Sequence, residues 1–209
     1  MPSTPGAERR RPADLAAQVI SEVLSPFVVV AGVLVLIAVL TDPHPMRSSV
    51  LAVGLISGVP LLLSLAMTRR GAVTDRFIIH RRQRHLFYAL AMVSMISGAI
   101  LLQVIPAGLH IRTASLLAVG TLVLVMIINL GIKISIHALI AALAAVVVPA
   151  HLPGPGVVIL VVLGWSAVSW ARVHAQRHSL LDVVLGTILG AAAGIAYLLL
   201  TGESSLPPV

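Results

Sequence analysis

The densest chemistry in the chain lies in Ala171–Asp182, which reads Ala-Arg-Val-His-Ala-Gln-Arg-His-Ser-Leu-Leu-Asp and separates two apolar runs. The 209 residues include only 14 Lys and Arg and 7 Asp and Glu, and this dodecamer carries three of them together with two histidines. A charge held near hydrocarbon is costly unless it is partnered, so such a cluster in an apolar chain points to function. With a helix from Arg177 onward, His178 and Asp182 fall four apart on one face. There a carboxylate hydrogen-bonds an imidazole, fixes its tautomer and raises its basicity. Arg172 adds a planar cation matched to phosphate or carboxylate. Imidazole, oriented carboxylate and guanidinium together are groups for chemistry on an anion. The same stretch has a second reading. His174, His178 and Asp182 recur every four residues, and one unbroken helix would let them ligate zinc or another divalent ion. Arg172 and Arg177 would repel that cation, so neither a metal nor another cofactor is expected.

Two more polar segments lie upstream. Thr74–His85 reads Thr-Asp-Arg-Phe-Ile-Ile-His-Arg-Arg-Gln-Arg-His, and Gly131–His137 reads Gly-Ile-Lys-Ile-Ser-Ile-His. Brought together with the dodecamer, they supply Arg84, Lys133, Ser135 and His137. Phosphoryl transfer uses this inventory: fixed cations for the equatorial oxygens, one group that attacks, and an acid for the leaving oxygen.

The elements that must position these groups are apolar. Hydrophobic residues make up 58% of the chain, charged residues 10%, and the mean hydropathy is +1.06. Soluble domains are about one quarter charged, so this is an integral membrane protein. The expected fold is all-α, a polytopic bundle of six to seven transmembrane helices. Apolar runs fall at about 22–40, 49–68, 86–106, 113–130, 136–151, 156–171 and 181–201. The fifth is short for a crossing at about 20 residues per span, which implies tilt, shielding by neighbours or a start inside a polar cavity. Gly54, Gly58 and Pro60 mark close packing or a kink in the second run. Gly186, Gly190 and Gly194 form a small-residue stripe, either for packing inside the chain or for a homodimer face. Residues 1–18 read as a basic lead ending in a short interfacial helix, 19–203 as the membrane domain and 204–209 as a short tail. The first run is long and lacks a small-residue cleavage site, which makes it an uncleaved span.

Cysteine is absent, which removes disulfides and thiolate chemistry. The net charge of +7 is assigned to lipid headgroups and topology, with no nucleic-acid partner expected. Alternation of seven spans puts the N-terminus and all three polar loops on one face. That face carries 12 of the 14 Lys and Arg, against Arg47 and Arg112 on the other. The positive-inside rule then places it in the cytoplasm, in a cell membrane.

These segments resemble the motifs of the type-2 phosphatidic acid phosphatase superfamily of membrane lipid phosphatases. Its third motif, Ser-Arg, five residues, His, three residues, Asp, is matched by Arg172, His178 and Asp182, with Ala171 in place of the serine. Its second, Pro-Ser-Gly-His, is matched by Ser135 and His137, with Ile134 and Ile136 at the other positions. Of its first, Lys, six residues, Arg-Pro, only Arg84 matches. Phe77 stands at the lysine, His85 at the proline, and Lys133 or a neighbouring arginine is the candidate replacement cation. The resemblance spans residues 74–182 in the family's order. It implies His178 as nucleophile forming a phosphohistidine, Asp182 orienting it, and His137 as acid and then base. It also implies Arg84, Arg172, Ser135 and Lys133 as phosphate holders. The implied activity is hydrolysis of a lipid phosphate or diphosphate of the polyprenyl, phosphatidate or phosphatidylglycerol phosphate type. The alternative is a non-catalytic relative that binds or moves anionic lipids.

Overall fold

The computed structural model describes residues 11–70 and 81–203, except for the side chains of 81–85. Eight helices follow: α1 (Pro12–Val23), α2 (Pro26–Thr41), α3 (Pro45–Arg69), α4 (Arg81–Val104), α5 (Leu109–Gly131), α6 (Ile136–His151), α7 (Pro155–His174) and α8 (Leu180–Thr201). Local chemistry sets many of the starts. Proline opens α1, α2, α3 and α7, where its missing N–H costs nothing and its fixed φ suits the first helical turn. Serine caps α6 and α8: Ser135 Oγ accepts the Ala138 N–H and Ser179 Oγ accepts the Asp182 N–H. The last seven residues of the basic lead, 12–18, are helical as part of α1.

All seven apolar runs are mostly helical, the first broken at Leu24–Ser25. Among the described residues, five helices are long and apolar enough to span a membrane, and α1 with α2, bent by 40°, makes a sixth candidate. The chain is an integral membrane protein with five to six candidate spans, against the seven apolar runs of the sequence. The difference lies in α6, which has only 16 residues. It is shielded by α2, α7 and α8, and seven of its residues are buried, from His137 to Val147. A short apolar helix so enclosed need not meet lipid along its length. On the outside, Leu62, Val93, Ile127, Leu160, Ile188 and Leu199 are exposed, as expected where the bilayer is the solvent.

The second apolar run carries a π-helical segment, Val53–Gly58, inside α3. In that register an N–H serves the carbonyl five residues back, as Val59 does for Gly54. Pro60 has no N–H to offer Leu55, and Ser94 Oγ of α4 donates to the Leu55 carbonyl instead, at 2.7 Å. The expected interruption is therefore a local widening repaired by a neighbouring helix.

Gly186, Gly190 and Gly194 lie against α6 of the same chain. A Cβ at Gly186 would sit 2.4 Å from the Ser135 carbonyl oxygen, and one at Gly190 would sit 2.0 Å from that of Leu139. All three glycines are buried there. The stripe of Gly186, Gly190 and Gly194 thus serves packing inside the chain, the first of its two readings.

From α2 on, the helices alternate in direction. At one end Asp42 joins three of them, accepting N–H groups from His44 and Gly108, each at 2.7 Å. At the same end His110 meets Glu203 at 3.1 Å and His151 meets the Tyr197 hydroxyl at 2.9 Å. The polar segments before α6 and α8 share the opposite end.

Candidate functional site

Two hydrogen bonds to backbone carbonyls bring the polar segments together. Ser135 N–H donates to the Asp182 carbonyl at 2.9 Å, and Lys133 Nζ donates to the Arg177 carbonyl at 2.6 Å. The first is possible because Gly186 lets α8 approach the start of α6. The register of Lys133, Ser135 and His137 relative to His178 and Asp182 thus follows from the glycine stripe.

His178 and Asp182 meet, with Nδ1 3.2 Å from Oδ2. The reason differs from the helical face expected from their spacing. α7 ends at His174, Gln176 turns the chain with φ of +52°, and α8 begins only at Leu180. His178 lies just before the helix, and Asp182 is the third residue within it. Ser179 and Asp182 form a reciprocal capping box, in which Asp182 Oδ2 accepts the Ser179 N–H at 3.1 Å. The same oxygen faces the imidazole. Capping fixes the carboxylate, and the carboxylate fixes the ring. Ser179 was not singled out in the sequence, although Ser-Leu-Leu-Asp carries the capping-box spacing.

Arg172 O accepts both the Arg177 and the His178 N–H at 3.2 Å, closing the turn over the end of α7. The Arg172 side chain is buried, and Nη1 lies 3.5 Å from Ser21 Oγ on α1. The helix break after His174 removes the three-residue stripe considered for zinc. His174 instead stacks on Trp170, with ring centroids 4.9 Å apart, and Nε2 pairs with Asp14 Oδ1 at 3.0 Å. Nothing in the sequence signals that α1 joins the site, since Ser21 and Arg172 are 151 residues apart.

Burial pushes the His178 imidazole down, and the Arg172 and Lys133 cations push it further. Asp182 pulls the other way, and the net position is about 4. The ring is therefore neutral at pH 7. With Nδ1–H directed at the carboxylate, the lone pair sits on Nε2.

A cavity of about 230 Å³ opens beside these groups. His137, Arg172 and His178 lie on its wall, and the rest is mostly apolar, including Phe87, Met95, Leu117 and Leu143. It follows α5 from Ala114 to Val125 and α6 from Ile136 to Val147, each about 16 Å at 1.5 Å per residue. Ser135 is fully buried as the α6 cap. Lys133 is partly exposed, with Nζ 3.9 Å from Asp182 Oδ2. Both adjoin the His178–Asp182 pair without forming part of the cavity wall. Arg84 falls in the first turn of α4, one turn before the cavity-lining Tyr88, but its side chain lies outside the described residues, as does all of 74–80.

No protein-family model matches the chain, and no curated protein or solved structure matches it.

Proposed function

We propose that the chain is an integral-membrane phosphatase of the type-2 phosphatidic acid phosphatase kind, hydrolysing a lipid phosphate or diphosphate. One observation carries the reading. A neutral, carboxylate-oriented imidazole shares the polar end of a long apolar cavity with a buried guanidinium and a second imidazole. The polar end suits a phosphate and the apolar length suits a lipid chain.

His178 Nε2 attacks phosphorus while Asp182 holds the Nδ1–H. A P–N bond forms as the bond from phosphorus to the lipid oxygen breaks, and His137 gives that oxygen its proton. Water, losing a proton to His137, then cleaves the P–N bond and frees phosphate. Arg172 stabilises charge on the equatorial oxygens, with Arg84, Lys133 and Ser135 as the remaining candidates for phosphate contact. The cation count supports a cytoplasmic position for this end of the bundle, in a cell membrane.

Ile136 favours a second reading. It lines the cavity at the position where the resembled motif has glycine, and its side chain restricts approach of phosphate to the backbone. A protein that binds or moves anionic lipids without hydrolysis tolerates this. Phosphate release by purified protein from polyprenyl phosphates, phosphatidate and phosphatidylglycerol phosphate separates the two. The expected result is release by the wild type and none by His178→Ala. Wild-type release in that variant removes the phosphohistidine step, and lipid binding without release favours the second reading.

A further inference from the structure

We propose that α1 is a positioning element of the anion site, in which Ser21 presets the Arg172 guanidinium and the Asp14–His174 pair holds α1 in place. The proposal rests on Arg172 being a phosphate ligand. α1 lies against the C-terminal end of α7. Asp14, Ala17 and Ser21 share one helical face, and the latter two are at most 5% exposed. Leu15, Val19 and Val23 stand exposed at four-residue intervals on a neighbouring face, available to the membrane interface.

The two contacts with α7 differ in kind. Asp14 Oδ1 takes His174 Nε2 at 3.0 Å, and His174 is itself stacked on Trp170. This pair is at the partly exposed edge and fixes where α1 sits. Seven residues along α1, Ser21 Oγ accepts from Arg172 Nη1 at 3.5 Å, in a buried setting. A guanidinium has five N–H donors, and this contact uses one of them. An arginine ordered before the ligand arrives has less rotamer freedom to lose on binding, which strengthens binding by lowering its entropic cost. Ser21 does not line the cavity, so its effect is exerted through Arg172.

The test compares wild type with Ser21→Ala, Ser21→Thr, Arg172→Ala and the Ser21→Ala/Arg172→Ala double variant, all purified as the full chain. Binding of radiolabelled inorganic phosphate and hydrolysis of lipid phosphates are both measured. Ser21→Ala is expected to weaken phosphate binding and raise KM by about three- to tenfold with kcat nearly unchanged. Ser21→Thr, which keeps the hydroxyl, restores both. Adding Ser21→Ala to Arg172→Ala produces no further loss, because the effect passes through the guanidinium. Asp14→Ala weakens binding in the same direction. The proposal is overturned if Ser21→Ala matches wild type, if its loss adds fully to that of Arg172→Ala, or if phosphate does not bind. Binding that depends on Ser21 and Arg172 in a wild type that releases no phosphate sinks the phosphatase reading and leaves this one standing.

Discussion

His178 shows how a few contacts set a side chain's chemistry. Its imidazole is lowered from 6.5 to about 4, mainly by burial and then by the Arg172 and Lys133 cations. Between these values the unfolded chain binds more protons at this group than the folded one does. Its contribution to stability is therefore complete above pH 6.5 and is lost as pH falls toward 4. In the proposed reaction the neutral ring is the nucleophile, so the acidic limb of kcat/KM due to His178 should fall well below pH 6.5. A limb at 6.5 or above would contradict the environment described. Asp182→Asn separates orientation from fold, because asparagine still accepts the Ser179 N–H but no longer enforces the Nδ1–H tautomer. Its kcat should drop on the order of 10⁴-fold with helicity by circular dichroism retained, the size of loss seen when a carboxylate holding a catalytic histidine is amidated. The spacing of Arg172, His178 and Asp182 was legible in the sequence. The Ser-Leu-Leu-Asp spacing also signals the capping box that starts α8, but the burial of His178 beside Arg172 and Lys133 was not legible, because it depends on how α6, α7 and α8 pack.

Among the helices, the α6–α8 contact determines whether the site assembles. Its basis is the absence of side chains at Gly186, Gly190 and Gly194. At Gly190 an added Cβ would meet backbone atoms of Leu139, which no rotamer change relieves. Gly190→Ala should destabilise the protein by about 1–3 kcal/mol and reduce activity together with stability, since moving α8 outward separates Ser135 from Asp182. Gly164→Ala on α7 is the control, as a Cβ there meets nothing within 4 Å. Equal thermal unfolding of the two variants in detergent would show that the stripe does not determine the α6–α8 spacing. The four-residue glycine repeat announced close helix packing in the sequence. Its partner could not be read, because an equivalent stripe serves equally well within a chain or between two.

For the molecule as a whole, alternation of the helices puts both described polar turns at one end, together with the start of α4. Ala175 is exposed at that end and Pro153 at the other, and the chain has no native cysteine to confuse labelling. On intact cells an impermeant maleimide should label Pro153→Cys and spare Ala175→Cys, if the cation-rich face is cytoplasmic. The reverse pattern would place the site outside. Apolar run positions were legible because exclusion of water from lipid forces each run into a helix. The span count was less so. Hydropathy registers α6 as a run, but its 16 residues and its enclosure by α2, α7 and α8 set it apart from the lipid-facing helices.

Composition and spacing alone established a membrane-embedded helical chain, with Arg172, His178 and Asp182 separated by five and three residues. These are properties of local sequence: hydrophobicity, helix signals and short-range spacing act over one or two turns. Tertiary structure decided which distant groups share a volume. It closed the glycine stripe onto α6, split His174 from His178, and carried α1 to Arg172. It also set the His178–Asp182 pair beside a mostly apolar cavity. Each of these depends on helix packing, where the geometry at one residue is set by atoms more than a hundred positions away or by the lack of a side chain on a neighbouring helix.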